Sequence, residues 1–168
     1  MPLAERLTTR PSKFSRVLWV VIAVLVLVLD QVSKAVVVRS VPEYTTIKVI
    51  PHVFNLINTT NTGAAFGLFS SSPAPWKTAL LILASTALLA LVISLMWQGR
   101  QFGWGTGVGL ALILGGALSN LLDRIRLGRV VDFLDVYYRS YHWPTFNLAD
   151  CTIVVGAGFL AFQLLFLE

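Results

Sequence analysis

The chain has 168 residues, of which 56% are hydrophobic and 12% charged, with a formal net charge of +5. Soluble domains carry about 25% charged residues, so this chain has the length of a single domain, residues 1–168, and is too apolar for an aqueous one. Its basic excess is no nucleic-acid footprint: Arg6, Arg10, Lys13 and Arg16 precede the first apolar run, and no basic stripe interleaves with aromatics.

A hydrocarbon core about 30 Å thick takes about 20 residues of apolar helix. The first such segment, Val17–Val38, is apolar to Leu29 and then reads Asp30-Gln31-Val32-Ser33-Lys34. A cleaved signal peptide would need a small-residue cleavage site there; instead the apolar run resumes with Ala35-Val36-Val37-Val38, so the segment is read as a retained helix. Asp30 and Lys34 stand four residues apart, acid first, the favourable order for a helical ion pair. Such a pair either neutralises itself in lipid or orients a neighbouring site residue.

A long loop follows, residues 39–77. Within it, residues 45–59 are β-branched and partly alternating, which predicts two short strands broken at Pro51. Asn61 lies just beyond, and Ser70-Ser71-Ser72-Pro73-Ala74-Pro75 reads as a linker. The second helix is expected over Thr78–Trp97 and the third over Phe102–Leu122, joined by a very short turn at 98–101. Neither helix contains Lys, Arg, Asp or Glu. The third is rich in glycine; Gly103/Gly107 and Gly105/Gly109 have the spacing that lets helices approach closely, and Gly115-Gly116, closer to the polar residues, is expected also to make room for a ligand. Asn120 and Asp123 end this helix. Asp123-Arg124 is either a helix-end pair or leaves Arg124 free to contact a substrate carbonyl or lipid head group.

The second long loop, residues 123–145, carries Asp132 in the apolar setting Val130-Val131-Asp132-Phe133. The fourth helix, about 146–167, opens with Asp150, one turn after Asn147. Its single cysteine, Cys151, excludes an internal disulfide and reads as a small hydrophobe. The fold class expected is therefore an all-α membrane protein, a bundle of four transmembrane helices, with a small extracytoplasmic β-sheet subdomain.

The four basic residues at the start favour a cytoplasmic N-terminus. The whole-chain count runs the other way. With that orientation the inner side holds five Lys and Arg, those four plus Arg100, and the outer side the other eight. The first helix usually dominates, and several of the outer bases sit beside acids.

Ionisable residues at membrane depth are costly and point to function. In this topology Asp30, Asn61, Asn120, Asp123, Asp132, Asn147 and Asp150 all converge on one face. If the second loop folds back, Asp132 and Asp150 meet near the water–lipid boundary. Two carboxylates at hydrogen-bond distance share a proton; the neutral one polarises an amide carbonyl and the charged one takes a proton from water. Spacing alone leaves open that they are two unrelated acids at loop ends. Other chemistries lack their parts. His52 and His142 lie in separate loops without metal-ligand spacing, Ser33 and Lys34 are helix neighbours that point apart, and Ser119 has no basic partner in the sequence.

Five blocks carry a resemblance. Asp30-Gln31-Val32-Ser33-Lys34, Asn61-Thr62-Gly63-Ala64-Ala65-Phe66, Gly115-Gly116-Ala117-Leu118-Ser119-Asn120-Leu121-Leu122-Asp123-Arg124, Gly128-Arg129-Val130-Val131-Asp132-Phe133 and Phe146-Asn147-Leu148-Ala149-Asp150 occur in that order. In these the chain resembles the bacterial lipoprotein signal peptidases (signal peptidase II) from residue 17 to the end. The only departure is Ser33, where Thr is common. The resemblance implies an aspartic endopeptidase of the inner membrane with both termini cytoplasmic and its site near the outer face. It implies cleavage of a lipid-modified prolipoprotein before the diacylglyceryl cysteine, without metal, cofactor, nucleic acid or obligate protein partner, among membrane lipids. The family's catalytic aspartates fall on Asp132 and Asp150. Its substrate-binding or positioning residues fall on Asn61, Gly63, Asn120, Asp123, Arg124 and Asn147, with Asp30 and Lys34 as structural polar residues. The first loop, from its sheet through Asn61–Phe66, is expected to cover the site as a lid. The rival readings are a non-enzymatic carrier or lipid-binding scaffold, and a metal-dependent intramembrane protease, which the lack of a His-rich motif disfavours.

Overall fold

The computed structural model describes residues 13–63, 75–97 and 104–166. The helix hairpin turn at 98–101, the linker at 70–75 up to Ala74, Gly103, and the Ala64–Phe66 part of the expected lid lie outside the described residues.

Four helices are long and apolar enough to cross a membrane. They are α1 (Lys13–Ser40), α2 (Pro75–Trp97), α3 (Trp104–Leu127) and α4 (Leu148–Phe166). Pro75 sits at the first position of α2, where its missing N–H costs nothing. Leu83 and Leu91 of α2, Val24 and Leu25 of α1, and Phe162 and Leu165 of α4 are exposed, an outer surface made for lipid rather than water. Trp76 and Trp97 are exposed at the two ends of α2, and Trp104 at the start of α3, the placement of interfacial aromatic belts.

Helix α3 is the central element, and its glycines explain why. A Cβ on Gly107 would fall within 2.1 Å of the Trp19 ring of α1, and one on Gly115 within 2.5 Å of the Ala23 carbonyl oxygen. On the other side, a Cβ on Gly109 would meet the Gly156 oxygen of α4 at 2.9 Å, and one on Gly116 the Ala149 oxygen at 2.5 Å. Gly115 and Gly116 therefore seat the backbones of α1 and α4, and the room expected there for a ligand is taken by those helices instead.

Helix α3 also runs five residues beyond the expected end at Leu122, to Leu127. Nothing in Asp123-Arg124-Ile125-Arg126 breaks a helix. Gly128 does: its φ of +71° is a left-handed stop, and its N–H donates to the Arg124 carbonyl at 3.0 Å.

The expected strands are present as β1 (Thr46–Ile50) and β2 (Phe54–Asn61), antiparallel across the Pro51 turn. The second long loop, for which no strand was expected from sequence, contains β3 (Val130–Tyr138) and the short β4 (Tyr141–His142). The four strands form one antiparallel sheet in the order β1-β2-β3-β4. It docks on the bundle through Phe133, which is buried with Val37 and Val41 at the end of α1.

Candidate active site

Two backbone devices bring the site together. The Gly128 stop feeds α3 directly into β3, so that Asp132 lies a few residues from Asp123, and the Val131 N–H reaches Asp123 Oδ2 at 3.4 Å. Phe146 then bridges to Leu134 of β3, exchanging N–H···O bonds of 2.8 and 3.1 Å. That bridge sets Asn147, and with it the start of α4, beside Asp132. The fold-back on which the meeting of Asp132 and Asp150 depends is therefore real.

Asn147 is the N-cap of α4. Its Oδ1 accepts the Asp150 N–H at 2.9 Å, while Asp150 Oδ2 accepts the Asn147 N–H at 3.3 Å. This is a reciprocal capping box, which fixes the Asp150 side chain while satisfying helix-end donors. The remaining Asn147 group, Nδ2, donates to Asp132 Oδ1 at 2.7 Å and lies 3.3 Å from the Val131 carbonyl. One fully buried asparagine thus holds both carboxylates. Asn120 Nδ2 donates to Asp150 Oδ1 at 2.8 Å, and Asn120 Oδ1 accepts from Asn147 Nδ2 at 3.2 Å.

Behind this pair lies a second layer of charge. Lys34 Nζ donates to Asp30 Oδ2 at 2.7 Å, to Asp123 Oδ2 at 2.8 Å and to Asn120 Oδ1 at 3.0 Å, so its three protons are all used. Asp123 pairs with Lys34, and Arg124 turns away to donate to the Asn120 carbonyl at 3.3 Å and toward the Gly63 carbonyl at 3.5 Å. Asp30 takes the Ala149 N–H on Oδ1 at 2.8 Å and the Ser119 hydroxyl on Oδ2 at 2.7 Å. Asn61 ends β2 opposite Val130, two residues from Asp132 on the neighbouring strand, and its Oδ1 accepts the Gly63 N–H at 2.8 Å.

Burial pushes the Asp132 carboxyl up to about 7, and the charge of Asp150 adds to the effect; the Asn61 and Asn147 amides and the Lys34 ammonium pull it back. Asp132 therefore titrates in the range where a carboxyl can serve as an acid at neutral pH. A carboxyl that titrates near neutral pH beside a second carboxyl can polarise an amide carbonyl with one group and deprotonate a water with the other.

All ten residues singled out from sequence lie in this one cluster, as direct members or one hydrogen bond removed. Gln31 and Ser119 were missed as members. Gln31 Nε2 donates to Asp123 Oδ1 at 2.8 Å and to Ser119 Oγ at 3.0 Å. Their signal was a neutral polar side chain at membrane depth, the same argument that selected the acids. A separate cluster lies on the sheet. Buried Asp135 accepts Asn55 Nδ2 at 2.8 Å and lies 2.8 Å from His142 Nδ1, whose ring stacks on Tyr137. Among the described residues no group of three or more His, Cys, Asp or Glu side chains is arranged to hold a metal.

The family model described as signal peptidase (SPase) II matches residues 22–166. This chain belongs to the signal peptidase II family. It is 40% identical over 144 residues to a protein of Solibacter usitatus named lipoprotein signal peptidase, covering 86% of this chain and 88% of that one. A protein of the same name from Xanthomonas euvesicatoria is 41% identical over 90% of this chain and 87% of its own length. A bacterial membrane enzyme solved by the in meso method at 2.3 Å resolution superimposes with a TM-score of 0.78 at 31% identity, over 88% of this chain and 87% of that one. As a member of the family, the chain is a multi-pass bacterial membrane peptidase.

Proposed function

We propose that this peptidase is of the aspartic type, with Asp132 and Asp150 as the catalytic pair, and that it removes signal peptides from prolipoproteins by cleaving before the diacylglyceryl-modified cysteine. The observation that carries the reading is Asn147, which donates to Asp132 at 2.7 Å and to Asp150 from its own backbone at 3.3 Å. A buried acid and a half-buried one fastened to one residue are costly unless they are used together. The substrate's apolar signal helix lies in lipid beside the bundle, its acyl chains stay in the bilayer, and the scissile bond is presented at the edge of the sheet. Asn61, Gly63 and Arg124 border that edge and have the donors and acceptors to hold an extended peptide. Both termini are cytoplasmic and the site faces outward, a topology supported by the four basic residues before α1.

The test is cleavage of a diacylglyceryl-modified prolipoprotein by purified protein, with Asp132→Asn and Asp150→Asn made singly. Each variant folds and is inactive, and the unmodified precursor is cut far more slowly than the modified one. Full activity in either variant overturns the catalytic pair; equal cleavage of both precursors overturns the lipid requirement.

A further inference from the structure

The two carboxylates are not equivalent. Both oxygens of Asp150 have donors, Asn120 Nδ2 at 2.8 Å on Oδ1 and the Asn147 N–H at 3.3 Å on Oδ2. Asp132 accepts from Asn147 Nδ2 on Oδ1, the Asn61 amide also faces its carboxyl, and among the described residues no hydrogen-bond partner reaches its buried Oδ2. An ionised carboxylate is acceptor-only, and leaving one of its charged oxygens buried and bare is the more costly choice. A proton on that oxygen removes the charge and turns the bare acceptor into a donor.

The asymmetry begins at Lys34. An asparagine amide can sit either way round, and only its partners decide which. Asn120 Oδ1 faces Lys34 Nζ at 3.0 Å and Asn147 Nδ2 at 3.2 Å. Both are donors, and an ammonium cannot accept. A flipped amide would set its NH₂ against that ammonium and its oxygen against the Asp150 carboxylate. Lys34 cannot swing aside, because Asp30 and Asp123 hold it at 2.7 and 2.8 Å. The Asn120 N–H is thus always aimed at Asp150.

We propose that Lys34, acting through the Asn120 amide as a positioning residue, fixes the shared proton of the pair on Asp132 Oδ2, making Asp132 the acid and Asp150 the base of the first step. This rests on the reading of Asp132 and Asp150 as the catalytic pair. The other charged groups facing the pair among the described residues are Asp30 from α1 and Asp123 and Arg124 from α3; together with Lys34 they sum to zero formal charge, so no net positive charge around the pair favours ionising both acids at once. The high titration range of Asp132 agrees.

The first step then balances. A water gives a proton to Asp150, its oxygen bonds to the scissile carbonyl carbon, and the Asp132 proton passes to the carbonyl oxygen. The product is a neutral gem-diol, with the pair's one proton now on Asp150. On collapse the C–N bond breaks, Asp150 protonates the leaving nitrogen, and one hydroxyl of the gem-diol returns its proton to Asp132. One water is consumed and the pair is restored.

Infrared difference spectra of the full chain in detergent, between about pH 5 and about pH 9, read the proton directly as the carbonyl stretch of a protonated carboxyl. The band that disappears on deprotonation in this window is expected in the parent protein, absent in Asp132→Asn and retained in Asp150→Asn. Any other pattern, including loss in both variants, overturns the assignment. Adding Asn120→Ala to Asp132→Asn removes the donor from Asp150, which should then show the band; if it does not, the lock through Asn120 is wrong. Lys34→Gln on the same Asp132→Asn background frees the amide to flip and gives the same readout should the alanine variant not fold. Cleavage assays on the same preparations separate the two failures. An active Asp132→Asn refutes the catalytic pair, whereas inactive variants with a different band pattern refute only the placement of the proton.

Discussion

The carboxylate of Asp30 on α1 accepts the backbone N–H of Ala149, 119 residues away in the first turn of α4, at 2.8 Å. A helix start leaves N–H groups without partners, and here a side chain from another helix takes one of them. The acid is fully buried and its second oxygen is held by Lys34 and Ser119. Asp30 thus ties α1 to the turn that carries Asp150. Asp30→Ala leaves Lys34 short of one counter-charge and α4 short of one cap. Breaking a buried pair on one side costs about 3–5 kcal/mol, so thermal unfolding in detergent should fall steeply, with activity lost in what remains folded. A variant as stable as the parent would contradict the role.

Asn147 has two jobs that substitution can separate. Its Oδ1 caps α4 through the Asp150 N–H, and its Nδ2 holds Asp132. Serine caps as well as asparagine but is too short to reach across to Asp132. Asn147→Ser should keep the α4 cap, lose the stability that the buried Nδ2 bonds contribute, and lose most of its cleavage activity. Asn147→Ala should lose activity and about 1 kcal/mol of further stability from the missing cap. Chemical or thermal unfolding beside a cleavage assay distinguishes them.

The reach of the sequence differs between the helices and the sheet. Four spans are visible in hydropathy because lipid demands about 20 apolar residues in a row. The gathering of polar residues at one end follows from an even number of spans. Strand β3 was not visible, because Asp132 and Asp135 are three apart and so point to opposite faces of the sheet, each buried against its own partners. That breaks the apolar–polar alternation by which a half-buried strand is recognised. The pairing of Asp123 was equally hidden. Its sequence neighbour is Arg124, but helix geometry points the two apart, and the cation it meets is Lys34, 89 positions earlier. Gly115-Gly116 could be read as space or as contact until the backbones of α1 and α4 were seen against them.

Those glycines offer a test of how closely chemistry depends on helix packing. A Cβ on Gly116 would lie 2.5 Å from the Ala149 carbonyl oxygen and 2.6 Å from Thr152 Oγ1, at the turn that bears Asp150. Gly116→Ala must push the start of α4 away from α3. A displacement of about 1 Å at a reacting group can cost about 10²-fold in rate, so kcat should fall far more than the unfolding temperature does. A Cβ on Gly158, on the same helix as Asp150, would meet nothing within 4 Å among the described residues. Gly158→Ala should be neutral or slightly stabilising through helix propensity.

The proton on Asp132 links activity and stability to pH in one direction. An unfolded aspartate titrates near 3.8, and burial raises the folded group to about 7. Between those values the folded chain keeps a proton that the unfolded chain releases. The stabilisation is fully present below about 3.8 and is lost as pH rises through about 7. Cleavage should fall over the same upper range, because the acid of the first step is being lost. Asp132→Asn cannot ionise. It should lose about 10²–10⁴-fold in rate at every pH, while its unfolding temperature declines less than the parent's as pH rises from about 3.8 to about 7. Matched pH series of cleavage and thermal unfolding, parent against variant, check both halves. If the parent lost stability toward acid instead of alkali through this group, or if the variant followed the parent's decline, the raised Asp132 would be the wrong cause.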